Sequence, residues 1–143
     1  MAEKEFYMRL HGDMLHNQAI FLLKCVWLEK GGKLFDERQF KKKHICPCEP
    51  DMYGEYEARM VKGNRRWTEK KLLVAEVETK ATTESVRKKQ QQYEQASVGI
   101  QLVVLNLDKF VKMYSNDNPL DGPCTAIYNW HLLKEWIESE LPI

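Results

Sequence analysis

The sequence has no run of eighteen uncharged apolar residues, and its most apolar stretch, residues 19–28, already contains Lys24, which excludes a membrane-spanning helix. An excess of one charge is also missing. The 22 basic and 21 acidic residues leave a net charge of +1, which excludes a disordered polyelectrolyte and a chain that coats nucleic acid by bulk charge. Any nucleic-acid partner must therefore meet a local patch. Cysteine is sparse, four in 143 residues, so no disulfide framework is expected, and a chain of this size buries roughly two thirds of its unfolded surface without staples. The opening residues carry acids and no continuous apolar core, so they do not read as a signal peptide. The expectation is a cytoplasmic protein with free thiols. Internal repeats and low-complexity segments are absent, and 43% hydrophobic residues over 143 positions fit a single domain spanning 1–143.

Proline is absent from residues 3–30, where Leu15, Ala19, Leu22, Leu23 and Val26 recur at helical spacing, predicting a long first helix stopped by Gly31-Gly32. A short strand is expected within 33–40, followed by the basic run Lys41-Lys42-Lys43-His44 and a turn over 46–51. Residues 52–61 read as a second strand interrupted or bent near Gly54, ending in a turn at Lys62-Gly63-Asn64. After a basic loop over 65–71, residues 72–78 are apolar on both sides at first, as in a central strand, and turn acidic at the end. Thr82 or Thr83 would cap a helix to about residue 98 with Val86, Tyr93 and Ser97 along one side. Gly99 breaks it, and 100–107 reads as another buried strand. A further element over 109–114, a loop over 115–123 and a closing helix over 128–141, patterned by Trp130, Leu133, Trp136 and Ile137, complete the chain. The fold class expected is α/β, a central mixed β-sheet flanked by helices.

Chemistry concentrates on the third strand. Side chains alternate along a strand, so Glu76, Glu78 and Lys80 are expected on one face, beyond Leu72 and Val74. Adjacent carboxylates repel and are tolerated where a divalent cation or an ammonium neutralises them. Mg²⁺ suits such a place, since it takes one or two carboxylates together with water and a substrate phosphate. If the second and third strands form a hairpin, Asp51 comes to lie beside Glu78.

Pro50-Asp51, a hairpin-length gap, and Glu78-Thr79-Lys80 before a helix and a further apolar strand resemble the PD-(D/E)XK, or restriction-endonuclease-like, nuclease superfamily. The resemblance covers about residues 5–107 and leaves 108–143 as a C-terminal loop and helix. It implies an αβββαβ core in which two acids bind Mg²⁺ or Mn²⁺ and a lysine assists the attacking water. It further implies hydrolysis of DNA phosphodiester bonds by an endonuclease or junction resolvase, and a homodimer. Two registers stay open. In one, Asp51, Glu78 and Lys80 form the core with Glu76 as a second or alternative metal ligand. In the other, Glu76-Val77-Glu78 fills the motif and Glu78 stands where the lysine usually is. Glu37 is the candidate for an added acid from the N-terminal part of the core. The Gln-x-x-x-Tyr signature of some exonuclease relatives is absent, because Lys89 stands four residues before Tyr93. Lys89 and Gln90 are candidates for approaching the phosphate backbone.

Arg65 and Arg66 are expected to grip phosphates and Trp67 to stack on a base or pack inside. The competing reading is a catalytically inactive nucleic-acid-binding or assembly protein on the same fold. Zinc is not expected, because His44, Cys46 and Cys48 lack a matching second pair and His11 and His16 are not at the four-residue interval of one helical face.

Overall fold

The first helix, α1 (Ala2–Glu29), ends where Gly31 takes φ +88° and the Gly32 N–H donates back to the Trp27 carbonyl at 2.8 Å, the glycine-dependent cap that the pair was expected to form. The computed structural model describes residues 2–44, 46–47, 49–96, 99–115 and 130–143. Cys48, Ser97, Cys124 and residues 116–123 of the loop expected over 115–123 lie outside them, as do the side chains of 2–13, His11 included, while Ser115 ends a helix.

Four strands follow in the order β1 (Lys33–Leu34), β2 (Met52–Lys62), β3 (Arg65–Glu78) and β4 (Ile100–Asn106), and they are neighbours in the same order. The first three are antiparallel. The crossover helix α3 (Thr83–Ala96) makes β4 parallel to β3. The result is an α/β fold with a four-stranded mixed sheet flanked by helices.

One sheet face carries Met52, Tyr56, Leu73, Ala75, Val77 and Leu105, and buries them against α1, α4 (Leu107–Ser115) and α5 (Trp130–Glu140). Leu23, Val26, Trp27, Phe110 and Ile137 have no accessible surface there. The opposite face places Tyr53, Val74, Ile100 and Leu102 under Phe40 of α2 (Glu37–Lys43) and Tyr93 of α3. Because residues of β3 alternate between these layers, even-numbered positions face α2 and α3. Among the described residues no helix is long and apolar enough to cross a membrane.

The short strand expected within 33–40 is present at Lys33–Leu34 and stops there, because Asp36 accepts a hydrogen bond from the Arg38 N–H at 2.7 Å and caps α2. Two local expectations are corrected. Residues 65–71 are not a loop but the first half of β3. Lys62 pairs with Arg65 across a two-residue turn whose first position, Gly63, has φ +62°, as a type II′ hairpin requires. Finally, β2 runs unbroken through Gly54, which pairs with both Leu34 and Leu73. The glycine makes room for Trp27, whose indole N–H donates to the Lys33 carbonyl at 3.0 Å. A Cβ at Gly54 would stand 2.6 Å from that indole nitrogen, and one at Gly32 only 2.4 Å. Gly54→Ala is therefore expected to lose about 1–3 kcal/mol of stability by forcing Trp27 off its seat. Urea denaturation followed by tryptophan fluorescence measures the loss.

Candidate active site

The acidic corner is built where β2 begins and β3 ends. Met52 pairs with Ala75, so the next position outward sets Asp51 beside Glu76 rather than beside Glu78, two residues from the expected partner. The Asp51 N–H donates to the Ala75 carbonyl at 2.9 Å, and its Oδ2 accepts from the Val77 N–H at 2.8 Å. Asp51 thus extends the ladder with its side chain. From the other face, His16 Nε2 meets the Val77 carbonyl at 2.7 Å, so that nitrogen carries the hydrogen. The last turn of the ladder is held from both layers.

Glu76 and Glu78 project toward α3, where Lys89 meets both. Its Nζ lies 3.3 Å from each Glu76 carboxylate oxygen, and it also pairs with Glu78 Oε1. Only Oε1 of Glu76 meets the amine with hydrogen-bond geometry; the buried Oε2 meets it as an ion pair alone and has no hydrogen-bond partner. The Glu76 side chain is 12% exposed. Burial pushes its carboxyl above the usual range against the pull of Lys89, and the charges on Glu78 and Asp51 add to the rise. Lys89 moves upward too, chiefly through its bond to Glu78. Two residues into β2, burial lifts the Tyr53 phenol to about 12, so it stays protonated beside the corner.

Helix α3 reaches the acids because its start is fixed. The Thr82 hydroxyl accepts from the Ser85 N–H at 3.1 Å while the Ser85 hydroxyl accepts from the Thr82 N–H at 3.2 Å, a reciprocal cap that selects Thr82 as N-cap. The segment before it is clipped to β4 by Asn106, whose amide bonds both the N–H and the carbonyl of Ala81, at 3.3 and 2.9 Å. Lys89 then falls three residues after Val86 and four before the buried Tyr93, on the side of the helix that faces the sheet.

The remaining expected site residues are placed elsewhere. Lys80 does not share the strand face, because β3 ends at Glu78. It lies exposed in the following bend and makes no ion pair with either acid among the described residues. Glu37 opens α2 instead of lying near a strand end, and Lys41 Nζ holds it at 2.8 Å. It is not among the charges that act on Glu76. Gln90 is exposed on α3, and Arg65, Arg66 and Trp67 sit at the far end of the β2–β3 hairpin. Ten strand residues separate Arg66 from Glu76, roughly 33 Å, so one phosphate cannot touch both.

Among the described residues no group of three or more His, Cys, Asp or Glu side chains is gathered as a metal-binding set. Mg²⁺ needs fewer, since one or two carboxylates with water suffice. The Glu76 oxygen that accepts no hydrogen bond and half-buried Asp51 are hard oxygen donors of that kind. Comparison with family models, curated proteins and solved structures gave no match.

The raised Glu76 carboxyl gives a signed pH dependence. The folded state holds the proton more tightly than the unfolded chain, so stability in metal-free buffer falls as pH rises from below the unfolded pKa through the folded one. Glu76→Gln is expected to flatten that decline and to be more stable than the wild type at neutral pH, as read from urea midpoints between pH 4 and pH 7.

Proposed function

We propose that this chain is a metal-dependent nuclease of the restriction-endonuclease-like type, hydrolysing phosphodiester bonds in DNA. The observation that carries the reading is the meeting of Asp51, Glu76, Glu78 and Lys89 at one strand end, with one buried carboxylate oxygen that is ion-paired to Lys89 but accepts no hydrogen bond. The order of a helix, three antiparallel strands, a crossover helix and a parallel strand agrees with the core expected for that superfamily. The helix α2 is an addition between the first two strands. A corner outside the carboxyl end of parallel strands is also where open α/β sheets bind ligands.

Of the two registers, the geometry favours Glu76-Val77-Glu78. Asp51 stands opposite Glu76, and the amine that meets the acids comes from α3 instead of from Lys80. Asp51 and Glu76 would hold Mg²⁺ or Mn²⁺, which when bound polarises a phosphate and acidifies a water. Glu78 keeps Lys89 charged and aimed at the corner. Lys89 Nζ offers a positive charge to a phosphate oxygen as negative charge grows there. The ladder bonds from Val77 and Ala75 fix Asp51 before substrate arrives, so the acids need no rearrangement to meet it.

A second reading, a DNA-binding protein without catalysis, is favoured by one observation: Lys89 already neutralises the acid pair. Incubation of plasmid, linear, single-stranded and branched DNA with Mn²⁺ separates the two. The nuclease reading predicts cleavage that drops by about 10²-fold or more in Asp51→Asn, Glu76→Gln and Lys89→Gln, and changes less than about threefold in Lys80→Ala. DNA retained without cutting by the folded wild type supports the binder, and a large loss in Lys80→Ala returns that residue to the site.

A further inference from the structure

The β2–β3 hairpin extends well past the rest of the sheet. β1 covers only Gly54 and Glu55, and β4 joins β3 only from Leu72 onward, so residues 56–71 form a two-stranded ribbon with both edges open. All of residues 65–70 are exposed, and Val61 keeps 68% of its surface. Tyr56 and Ala58 at its base still pack against the core, but every residue over 59–70 except Met60 is exposed, so core packing does not account for the length of its outer part. Its charge is mainly basic, with Arg59, Lys62, Arg65, Arg66, Lys70 and Lys71 against Glu57 and Glu69, and the acids lie toward its base. Residues 58–68 carry Arg59, Lys62, Arg65 and Arg66 and no acid, in a chain whose net charge is only +1. The nearest acid beyond Trp67, Glu69, is occupied by the Trp67 indole N–H at 2.9 Å.

A second basic feature joins the arm to the body. A groove of about 570 Å³ between α2 and the strands is lined by Lys33, Lys42, Lys43, His44 and Lys70, with Glu55 among its acids and amides. It lies on the sheet face that also bears Glu76 and Glu78, since Lys70 and the two acids are all even-numbered on β3. Acids, basic groove and basic arm therefore follow one another along a single face. The roughly 33 Å from Glu76 to Arg66 is close to one turn of B-DNA, about 34–36 Å. The major groove of that duplex admits a two-stranded ribbon.

We propose that the hairpin arm enters the major groove of a DNA duplex about one helical turn from the phosphate at the acidic corner, with the α2 groove contacting the backbone between them. This rests on DNA being the substrate and adds how far along the duplex the protein reaches. Two variants test it. Ala58 and Glu69 are cross-strand partners, so replacing residues 59–68 by Asn-Gly closes a short hairpin. The combined Arg59→Gln, Lys62→Gln, Arg65→Gln and Arg66→Gln variant keeps the ribbon and removes its charge. Circular dichroism and thermal melting check that each is folded.

Binding to 10-bp and 24-bp duplexes is measured by fluorescence anisotropy in EDTA, with hydroxyl-radical footprints on a longer duplex. The wild type is expected to bind the 24-bp duplex at least 30-fold more tightly than the 10-bp one. Both variants should lose that gain, shorten the footprint by about ten base pairs, and lower the slope of log K against log salt by about 3–4. Variants that keep the gain and the slope overturn the proposal. So does an equal loss on both lengths, or displacement of the wild type by polyglutamate as readily as by duplex. Because no metal is present, these results do not depend on cleavage. A wild type that never cuts sinks the nuclease reading alone, and an unshortened footprint sinks the arm alone.

Discussion

Two carboxylates on alternate residues of one strand face repel each other, and half-burying them costs free energy that only a cation beside them offsets. Glu76 and Glu78 impose that condition here, and Lys89 meets it. Much of the surrounding structure serves to bring the amine to the acids. The Thr82–Ser85 cap sets where α3 begins, Asn106 clips the preceding segment to β4, and Tyr93 seats the helix on the sheet so that Lys89 faces inward. Asp51 and His16 hold the Val77 peptide from opposite layers and keep the strand end straight under the acids. The balance is incomplete: one buried oxygen of Glu76 meets the Lys89 ammonium only as an ion pair and accepts no hydrogen bond, which is costly for a buried acceptor.

The parts of this corner that were legible in the sequence are those with a local period. The run over residues 72–78 is apolar before it is acidic, which placed a central strand with its charged end at Glu76 and Glu78. Glycines at 31, 63 and 99 marked chain reversals that do require positive φ. Lys89 carried a readable signal as well. It sits at helical spacing between Val86 and Tyr93, so a helix burying those two must turn Lys89 toward the sheet. What no local pattern held was the end of β3. Lys80 continues the alternation on paper, but the Asn106 clip on Ala81 comes from 25 residues away and draws the chain off the strand. The two-residue offset that sets Asp51 opposite Glu76 instead of Glu78 likewise depends on hairpin register, which is set by the turn at Gly63-Asn64.

The hairpin arm was hidden for the opposite reason. A strand exposed on both faces shows no alternation of apolar and polar residues, so 65–71 read as a basic loop although every position is paired. The short strand expected within 33–40 ends at Leu34 because Asp36 caps a helix, which lets Phe40 pack on Tyr53 with ring centroids 5.0 Å apart. The near-neutral composition concealed a division of charge. Acids gather at one end of β3 and cations at the other, with buried aromatic packing between them. That separation lets one sheet face present a cation-seeking corner and an anion-seeking arm without the two neutralising each other, since exposed charges so far apart are largely screened.

The central claim is that Asp51 and Glu76 share one divalent ion next to Lys89. Paramagnetic broadening by Mn²⁺, followed by NMR on the ¹⁵N-labelled chain, tests it directly. The account predicts saturation near one equivalent, with the strongest effects at the Val77 N–H and the Lys89 ammonium, both abolished in Asp51→Asn. Broadening that is diffuse, that centres on another part of the chain, or that persists unchanged in Asp51→Asn would contradict it.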